Sequence, residues 1–352
     1  MDIASVSAQR SEDKTLEVQC TSGVSLFFVS HLTDVPRVTS CNLWKLCLKY
    51  FLKRGERMEL ILNLALFLIL IAAILFAIAV FRYYNKFPKG AEILDIVGEL
   101  KKVANVEENI IDGRKIYKIE NKEKINSDAT IMYLHGGGYV GGITRRQLSV
   151  IYKLLNDTRM RIILPDYPLA PKATYLQVFE WIEKLYEEYQ DEKNMIFMGD
   201  SAGAGLALAF SQKLGEENRK QPKKLILISP WLDLTLENEL ILEKEKEDKV
   251  LNKPVLKLAA EMYSGDADRS NYLMSPVKGP MDKIDNVSVF TGTSDMLNPD
   301  AHALKERFKD KTNVYFKFYE KEKASHNWIF DDLETSKEDY QKLVEEIMNF
   351  EK

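Results

Sequence analysis

Six short apolar runs recur between residues 129 and 320, each of strand length and each separated from the next by a polar or amphipathic segment. They read ATIMYLH (129–135), RIILPDY (161–167), NMIFMGD (194–200), KLILISP (224–230), VSVFTGT (287–293) and VYFKFYE (314–320). Among the segments between and after them, YLQVFEWIEKLYEEY carries Val178, Ile182, Leu185 and Tyr189 on one helical stripe, and DAHALKERFKD and KEDYQKLVEEIMNF are amphipathic in the same way. Strand-length runs alternating with helices imply a mostly parallel central sheet flanked by helices. In open sheets of this kind ligands bind beyond the carboxyl ends of the strands, so the polar residues that follow the runs are the candidates for chemistry.

Gly199-Asp200-Ser201-Ala202-Gly203 stands at the end of the third run, and the AGAGLALAF that follows is apolar and helix-forming. A serine on a sharp strand-to-helix turn sits in strained backbone, and small neighbours such as Gly199 and Gly203 let strand and helix come close enough to hold it. A hydroxyl at its ordinary pKa needs a base. Of the four histidines, His31 precedes a long apolar span, His135 heads a glycine run and His302 falls inside a helical pattern, whereas His326, in EKASHNWIF, follows the last strand-like run. Asp295, in FTGTSDMLNPD, offers an orienting carboxylate; Asp300 competes for that role but lies farther from the strand end. Ser201, Asp295 and His326 occur in the chain order of α/β-hydrolases. The glycines of LHGGGYVGG let backbone N–H groups approach a developing oxyanion, and Ala202 adds another. No Lys-Ser/Thr follows those glycines and no Gly-x-Gly-x-x-Gly opens a helix, which argues against a nucleotide site.

HGGGY, DYPLAP, GDSAGAGLA, SPWLDL and the late TSD and SHNW segments together resemble the hormone-sensitive-lipase-like family of α/β-hydrolases, over about Ala129 to Asn349. The resemblance implies serine-dependent hydrolysis of carboxylic esters of short to medium acyl chains, through an acyl-enzyme and without a cofactor, on a small-molecule ester substrate. Carried over by motif, Ser201 is the nucleophile, His326 the general base and then acid, and Asp295 the group that orients His326. Gly137 and Gly138 with Ala202 donate to the oxyanion. His135, Gly136, Gly199, Asp200 and Gly203 support the motifs, His135 by shaping its loop through hydrogen bonds. Amide deacetylation, acyl transfer and a non-catalytic ligand-binding member of the fold remain as alternatives. The chain departs from the family pattern at Pro168, where relatives carry an arginine that makes a local ion pair. It also departs in the short AEILDIVGELKKV stretch, where relatives build a lid from N-terminal helices.

Ahead of this domain, Leu60 to Val80 is about 21 residues with one polar side chain, Asn63, and no charge. At about 1.5 Å per residue such a helix spans a ~30 Å hydrocarbon core, so residues 58–82 are expected to form a transmembrane anchor preceding a catalytic domain at 88–352. Arg82, Tyr83 and Tyr84 suit the membrane interface. Residues 1–57 are an N-terminal extension whose competing reading is a true start at Met58; the two readings reverse the Lys/Arg bias across the span, so the side of the membrane stays open. The first 40 residues show no clear periodicity. Cys20, Cys41 and Cys47 form no Cys-x-x-Cys pair, so no metal site is expected, and a formal net charge of -4 without basic clustering argues against nucleic acid as a partner. The charge run Leu242–Lys249 reads as a solvated surface helix. Oligomeric state is not legible.

Overall fold

Every strand-length run singled out above is a strand, and the sheet they form has two more strands than expected. The computed structural model describes residues 7–10, 15–19, 25–29, 67–75, 97–98, 100–123, 128–330 and 336–351. The chain divides into two units, Met1–Val80 and Phe81–Lys352. In the first, β1 (Ser7–Arg10), β2 (Thr15–Gln19) and β3 (Ser25–Val29) form a small antiparallel sheet where the sequence showed no periodicity. Strands of four or five residues are too short for an alternating pattern to stand out. Residues 67–75, inside the expected transmembrane span, are helical. The rest of that span lies outside the described residues, as do His31 and the three cysteines, and no helix among the described residues is long and apolar enough to cross a membrane.

In the second unit, helical residues 97–98 and 100–103 lead into the hairpin β4 (Ala104–Ile111) and β5 (Arg114–Asn121), joined by Asp112-Gly113 with both residues at positive φ. Asp-Gly is the dipeptide that such a two-residue turn demands, and this signal would have placed the two extra strands. The remaining strands are β6 (Thr130–Leu134), β7 (Arg161–Pro165), β8 (Met195–Asp200), β9 (Lys224–Ile228), β10 (Asn286–Gly292) and β11 (Tyr315–Lys321). The sheet order is β11-β10-β9-β8-β6-β7-β5-β4; β4 and β5 pair antiparallel, as do β5 and β7, and every other pair is parallel.

Alternation along each central strand sends side chains to two separate cores. Met132, Leu134, Phe197, Leu225 and Leu227 join one cluster, while Ile131, Tyr133, Ile196, Met198 and Ile226 join the other. Helices α1 (Arg145–Thr158) and α7 (Lys337–Met348) cover the second cluster; α2 (Tyr175–Tyr189), α3 (Ala202–Glu216), α5 (Lys253–Ser264) and α6 (Asn298–Phe308) cover the first. The short α4 (Ile241–Lys244) precedes α5. The 253–264 segment thus serves as core, through Leu256, Ala259, Ala260 and Tyr263.

This topology fixes where a ligand can sit. After β6 the chain passes through α1 on one face to β7; after the neighbouring β8 it passes through α3 on the opposite face to β9. Adjacent strands whose connections leave in opposite directions open a crevice at their carboxyl ends. Both glycine-bearing motifs lie there, HGGG after β6 and Ser201 after β8. Helix α3 must start against the end of β6, and a Cβ on Gly203 would strike the carbonyl oxygens of Leu134 and His135. Replacing glycine by alanine in a helix ordinarily stabilises by about 1 kcal/mol. Here overlap with backbone that cannot move aside should reverse the sign, and Gly203→Ala is expected to lower stability by roughly 2–4 kcal/mol in urea unfolding. An unchanged or raised midpoint would show that strand and helix are not in close contact.

Candidate active site

Ser201 is the residue between β8 and α3, and its φ of 51° and ψ of -121° lie in a region that side chains rarely adopt. Three backbone hydrogen bonds hold it there: its N–H donates to the Ile228 carbonyl (2.9 Å), and its own carbonyl accepts from Gly205 (3.2 Å) and Trp231 (3.0 Å). The approach that makes room for them needs glycine at 199, 203 and 205, where a Cβ would meet backbone of the 203–204 turn, of β6 and of Trp231 respectively. The strain is thus imposed by the packing of one strand end on one helix start.

Asp200, next in the chain, is fully buried, and its carboxylate collects four donors from four segments. The Tyr133 hydroxyl (2.6 Å) and the Gly136 N–H (2.9 Å) donate to Oδ1, the Gln147 amide donates to both oxygens (3.0 and 2.9 Å), and the Asn327 amide donates to Oδ2 (2.9 Å). Buried charge is tolerable only when its lone pairs are occupied in this way. Burial first, then the Asp200 charge, holds the Tyr133 phenol well above its ordinary pKa, so it remains a donor. Gln147 also accepts from the Thr144 N–H (2.7 Å) in the capping box of α1, a Thr-x-x-Gln signal that the sequence carries.

The glycine loop is held by these contacts. Gly136 is bonded to Asp200 and leaves no space for a Cβ beside its carboxylate; Gly137 and Gly138 follow at φ of 125° and 62°. The Gly137 carbonyl accepts from Val140 (3.1 Å) and Gly141 (2.8 Å), whereas the N–H groups of Gly137 and Gly138 have no partner among the described residues. Ala202, as first residue of α3, has an N–H that no helical carbonyl can satisfy. His135 donates from Nδ1 to the Gly136 carbonyl (2.7 Å) and stacks on Tyr167 (4.4 Å between centroids), whose hydroxyl donates to the His135 carbonyl (2.6 Å). Burial pushes its pKa down, so it is a neutral scaffold for the loop. Beside Pro168, Asp166 pairs with Arg114 of β5 (3.3 Å), which also donates to the Asp166 and Tyr167 carbonyls (2.6 and 3.0 Å). A cation from another strand thus holds the Asp166–Tyr167 stretch.

Asp295 and His326 come together at the ends of β10 and β11. His326 Nδ1 donates to the Asp295 carboxylate (3.0 and 3.2 Å), and both side chains are buried. Their loops are sewn together by Thr293 N–H to the Lys321 carbonyl (2.9 Å) and Ser294 N–H to the Ala324 carbonyl (3.0 Å), and Gly292 leaves no space for a Cβ under Ala324. Burial alone would push the His326 pKa down; the Asp295 charge and hydrogen bond, then Asp248 and Asp200, outweigh it and hold the imidazole above its ordinary 6.5. The following residue, Asn327, at φ 57°, donates its N–H to Ser229 Oγ (3.0 Å) and its amide to Asp200. The loop of His326 is therefore fastened to the residue before Ser201. Asn327, Gln147 and Tyr133 were not singled out as candidates from the sequence, because each acts on a group far away in the chain.

A family model described as the alpha/beta hydrolase fold matches residues 131–330, more than half of the chain. The chain belongs to the α/β-hydrolase fold family. This hydrolase is 31% identical over 206 residues to an esterase of Acinetobacter venetianus, a match that covers 57% of this chain and 68% of the relative. It is 27% identical over 203 residues to an acetyl-hydrolase of Streptomyces hygroscopicus, covering 56% and 68%. An esterase from the bacterial hormone-sensitive lipase family, known as a crystal structure, shares the fold with a TM-score of 0.65 at 23% identity, over 77% of this chain and 95% of that one. The resemblance read from the motifs is borne out.

The two rejected candidates have other places in the hydrolase. His302 sits on α6 and pairs with Glu320 (2.7 Å), a surface role. Asp300, in the first turn of α6, accepts from Asn238 (2.9 Å), and burial pushes its pKa up to about 7, against the Asn238 hydrogen bond. A native carboxyl that keeps its proton to near neutrality, while the unfolded chain loses it near 4, binds more protons folded than unfolded between those values. Stability therefore falls as pH rises through that window. Asp300→Asn removes the penalty. Relative to wild type, the variant should gain on the order of 2–4 kcal/mol between pH 4 and pH 8, measured by urea unfolding at both; a difference independent of pH would show that Asp300 ionises normally.

Proposed function

We propose that the protein is a serine hydrolase that cleaves carboxylic esters of short to medium acyl chains, with Ser201 as nucleophile, His326 as base and acid, and Asp295 as its orienting carboxylate. One observation carries the assignment: the buried Asp295–His326 pair is fastened through Asn327 to Asp200, the neighbour of a serine held in strained backbone. With Nδ1 donating to Asp295, His326 keeps Nε2 as the acceptor for the serine proton. The esterase and acetyl-hydrolase similarities support ester hydrolysis over amide cleavage or acyl transfer.

Ser201 Oγ gives its proton to His326 Nε2 as it bonds to the ester carbonyl carbon, and the carbonyl oxygen takes the negative charge. The N–H groups of Gly137, Gly138 and Ala202 stabilise that oxygen in a dry site, a contribution of about 3–4 kcal/mol per donor removed in comparable sites. Asp295 stabilises the imidazolium, which then protonates the departing alcohol oxygen as the C–O bond breaks. Water attacks the acyl-enzyme and passes a proton to His326, which returns it to Ser201 Oγ as the acyl C–O bond breaks and the acid leaves.

The apolar run Leu60–Val80 supports residues 58–82 as a single-pass membrane anchor ahead of this domain; Phe67 to Leu70 within it are helical with exposed apolar side chains.

A fluorophosphonate probe should label the full chain and not Ser201→Ala, and p-nitrophenyl acetate hydrolysis should fall by at least ~10⁴ in that variant. Because the folded imidazole pKa is raised and catalysis needs the neutral form, kcat/KM should drop as pH falls through a value above 6.5. Equal labelling of both proteins would remove the assignment.

A further inference from the structure

The charge run at 242–249 was expected to be a solvated helix, yet only Ile241–Lys244 is helical and the rest packs back onto the turn that carries Asp295. Asp248 Oδ2 accepts the Met296 N–H (2.8 Å), Glu247 reaches Ser294 Oγ (3.4 Å), and Asn238 donates to Asp300 (2.9 Å). All three contacts land within residues 294–300. The amides flanking Met296 are satisfied within the turn: Asp295 N–H on the Gly292 carbonyl (3.1 Å), Leu297 N–H on Asp295 Oδ1 (2.8 Å) and Asn298 N–H on the Asp295 carbonyl (3.0 Å). Met296 is the amide left over, and it adjoins the triad acid.

Asp248 is itself fixed. Its Oδ1 accepts from Val250 (2.8 Å) and Leu251 (3.1 Å), which closes a local turn and leaves Oδ2 for Met296. A residue that only capped its own turn would need just the first oxygen. The carboxylates acting on His326 come from three elements: Asp295 from the turn after β10, Asp248 from this strap and Asp200 from the serine elbow.

We propose that Asp248 is a positioning residue for ester hydrolysis: through the Met296 amide it holds the turn that presents Asp295 to His326, and it sets a further negative charge against that turn. This rests on the triad reading. The two functions of Asp248 are separable by substitution. Asp248→Asn keeps one acceptor oxygen but loses the charge, and cannot accept from both Met296 and the Val250 turn. Asp248→Glu keeps charge and acceptor, one methylene farther out. Glu243→Gln removes the same charge from an exposed position on the same strap and serves as control.

The test is the pH dependence of p-nitrophenyl acetate hydrolysis by the full chain and these three variants. Asp248→Asn should move the acid limb of kcat/KM down by roughly 0.3–0.8 pH unit and lower kcat about three- to thirtyfold with KM within about twofold. Asp248→Glu should keep the wild-type limb, and Glu243→Gln should change neither limb nor kcat. An Asp248→Asn profile that coincides with that of Glu243→Gln would overturn the proposal, as would an Asp248→Glu limb displaced as far as that of Asp248→Asn. Fluorophosphonate labelling run alongside separates the two levels: an unlabelled wild type removes the triad itself, whereas a labelled wild type with unmoved Asp248 variants removes only the role of Asp248.

Discussion

A carboxylate buried from water must have its oxygens occupied, and the way Asp200 meets that demand organises the site. Its donors arrive from β6 (Tyr133), the glycine loop (Gly136), the first turn of α1 (Gln147) and the loop after His326 (Asn327). Losing any one leaves part of a buried charge exposed to apolar surroundings, at a cost of about 1–3 kcal/mol or more. These four donors therefore fix the glycine loop, the start of α1 and the His326 loop against the residue before Ser201. The proposed catalysis needs such an arrangement, because the groups assigned as oxyanion donors, nucleophile and base come from distant parts of the chain and are useful only at the correct separation.

The elements that surround the hub follow from the topology. The switch between β6 and β8 brings the glycine loop and the serine elbow to one crevice, and the parallel pairs β8–β9, β9–β10 and β10–β11 carry the acid and the histidine to the same end of the sheet. Toward the amino ends of the last three strands, Glu346 of α7 accepts from Lys224 (2.6 Å), Ser288 (2.6 Å) and Tyr315 (3.1 Å), which ties β9, β10 and β11 to one helix. The strands that end in Asp295 and His326 are thus fixed at their opposite ends as well.

Much of this was legible in the sequence because it is written locally. Glycines at 199 and 203 around Ser201, the run Gly136–Gly138 after a strand, and a histidine just past the last strand each state a backbone requirement within a few residues. What escaped is non-local or easily misassigned. The hub joins side chains between 53 and 127 residues from Asp200 when Gln147 and Asn327 are compared, and no short pattern reports such pairs. The β4–β5 hairpin and α1 have local signals too, Asp112-Gly113 and Thr144 with Gln147, each carried by two residues only and quieter than the longer apolar runs. Residues 242–249 are largely exposed, as a dense alternation of Lys and Glu implies, but a single carboxylate within them, Asp248, accepts the amide of Met296, which no local pattern reports.

Replacing Asp200 by asparagine keeps the shape and removes the charge that collects these donors, so steady-state kinetics of Asp200→Asn on p-nitrophenyl acetate test the central claim most directly. The account predicts a kcat/KM at least ~100-fold below wild type in protein that still unfolds cooperatively, because the oxyanion loop and the His326 loop lose their common anchor. A folded Asp200→Asn protein with kcat/KM within about threefold of wild type would contradict it.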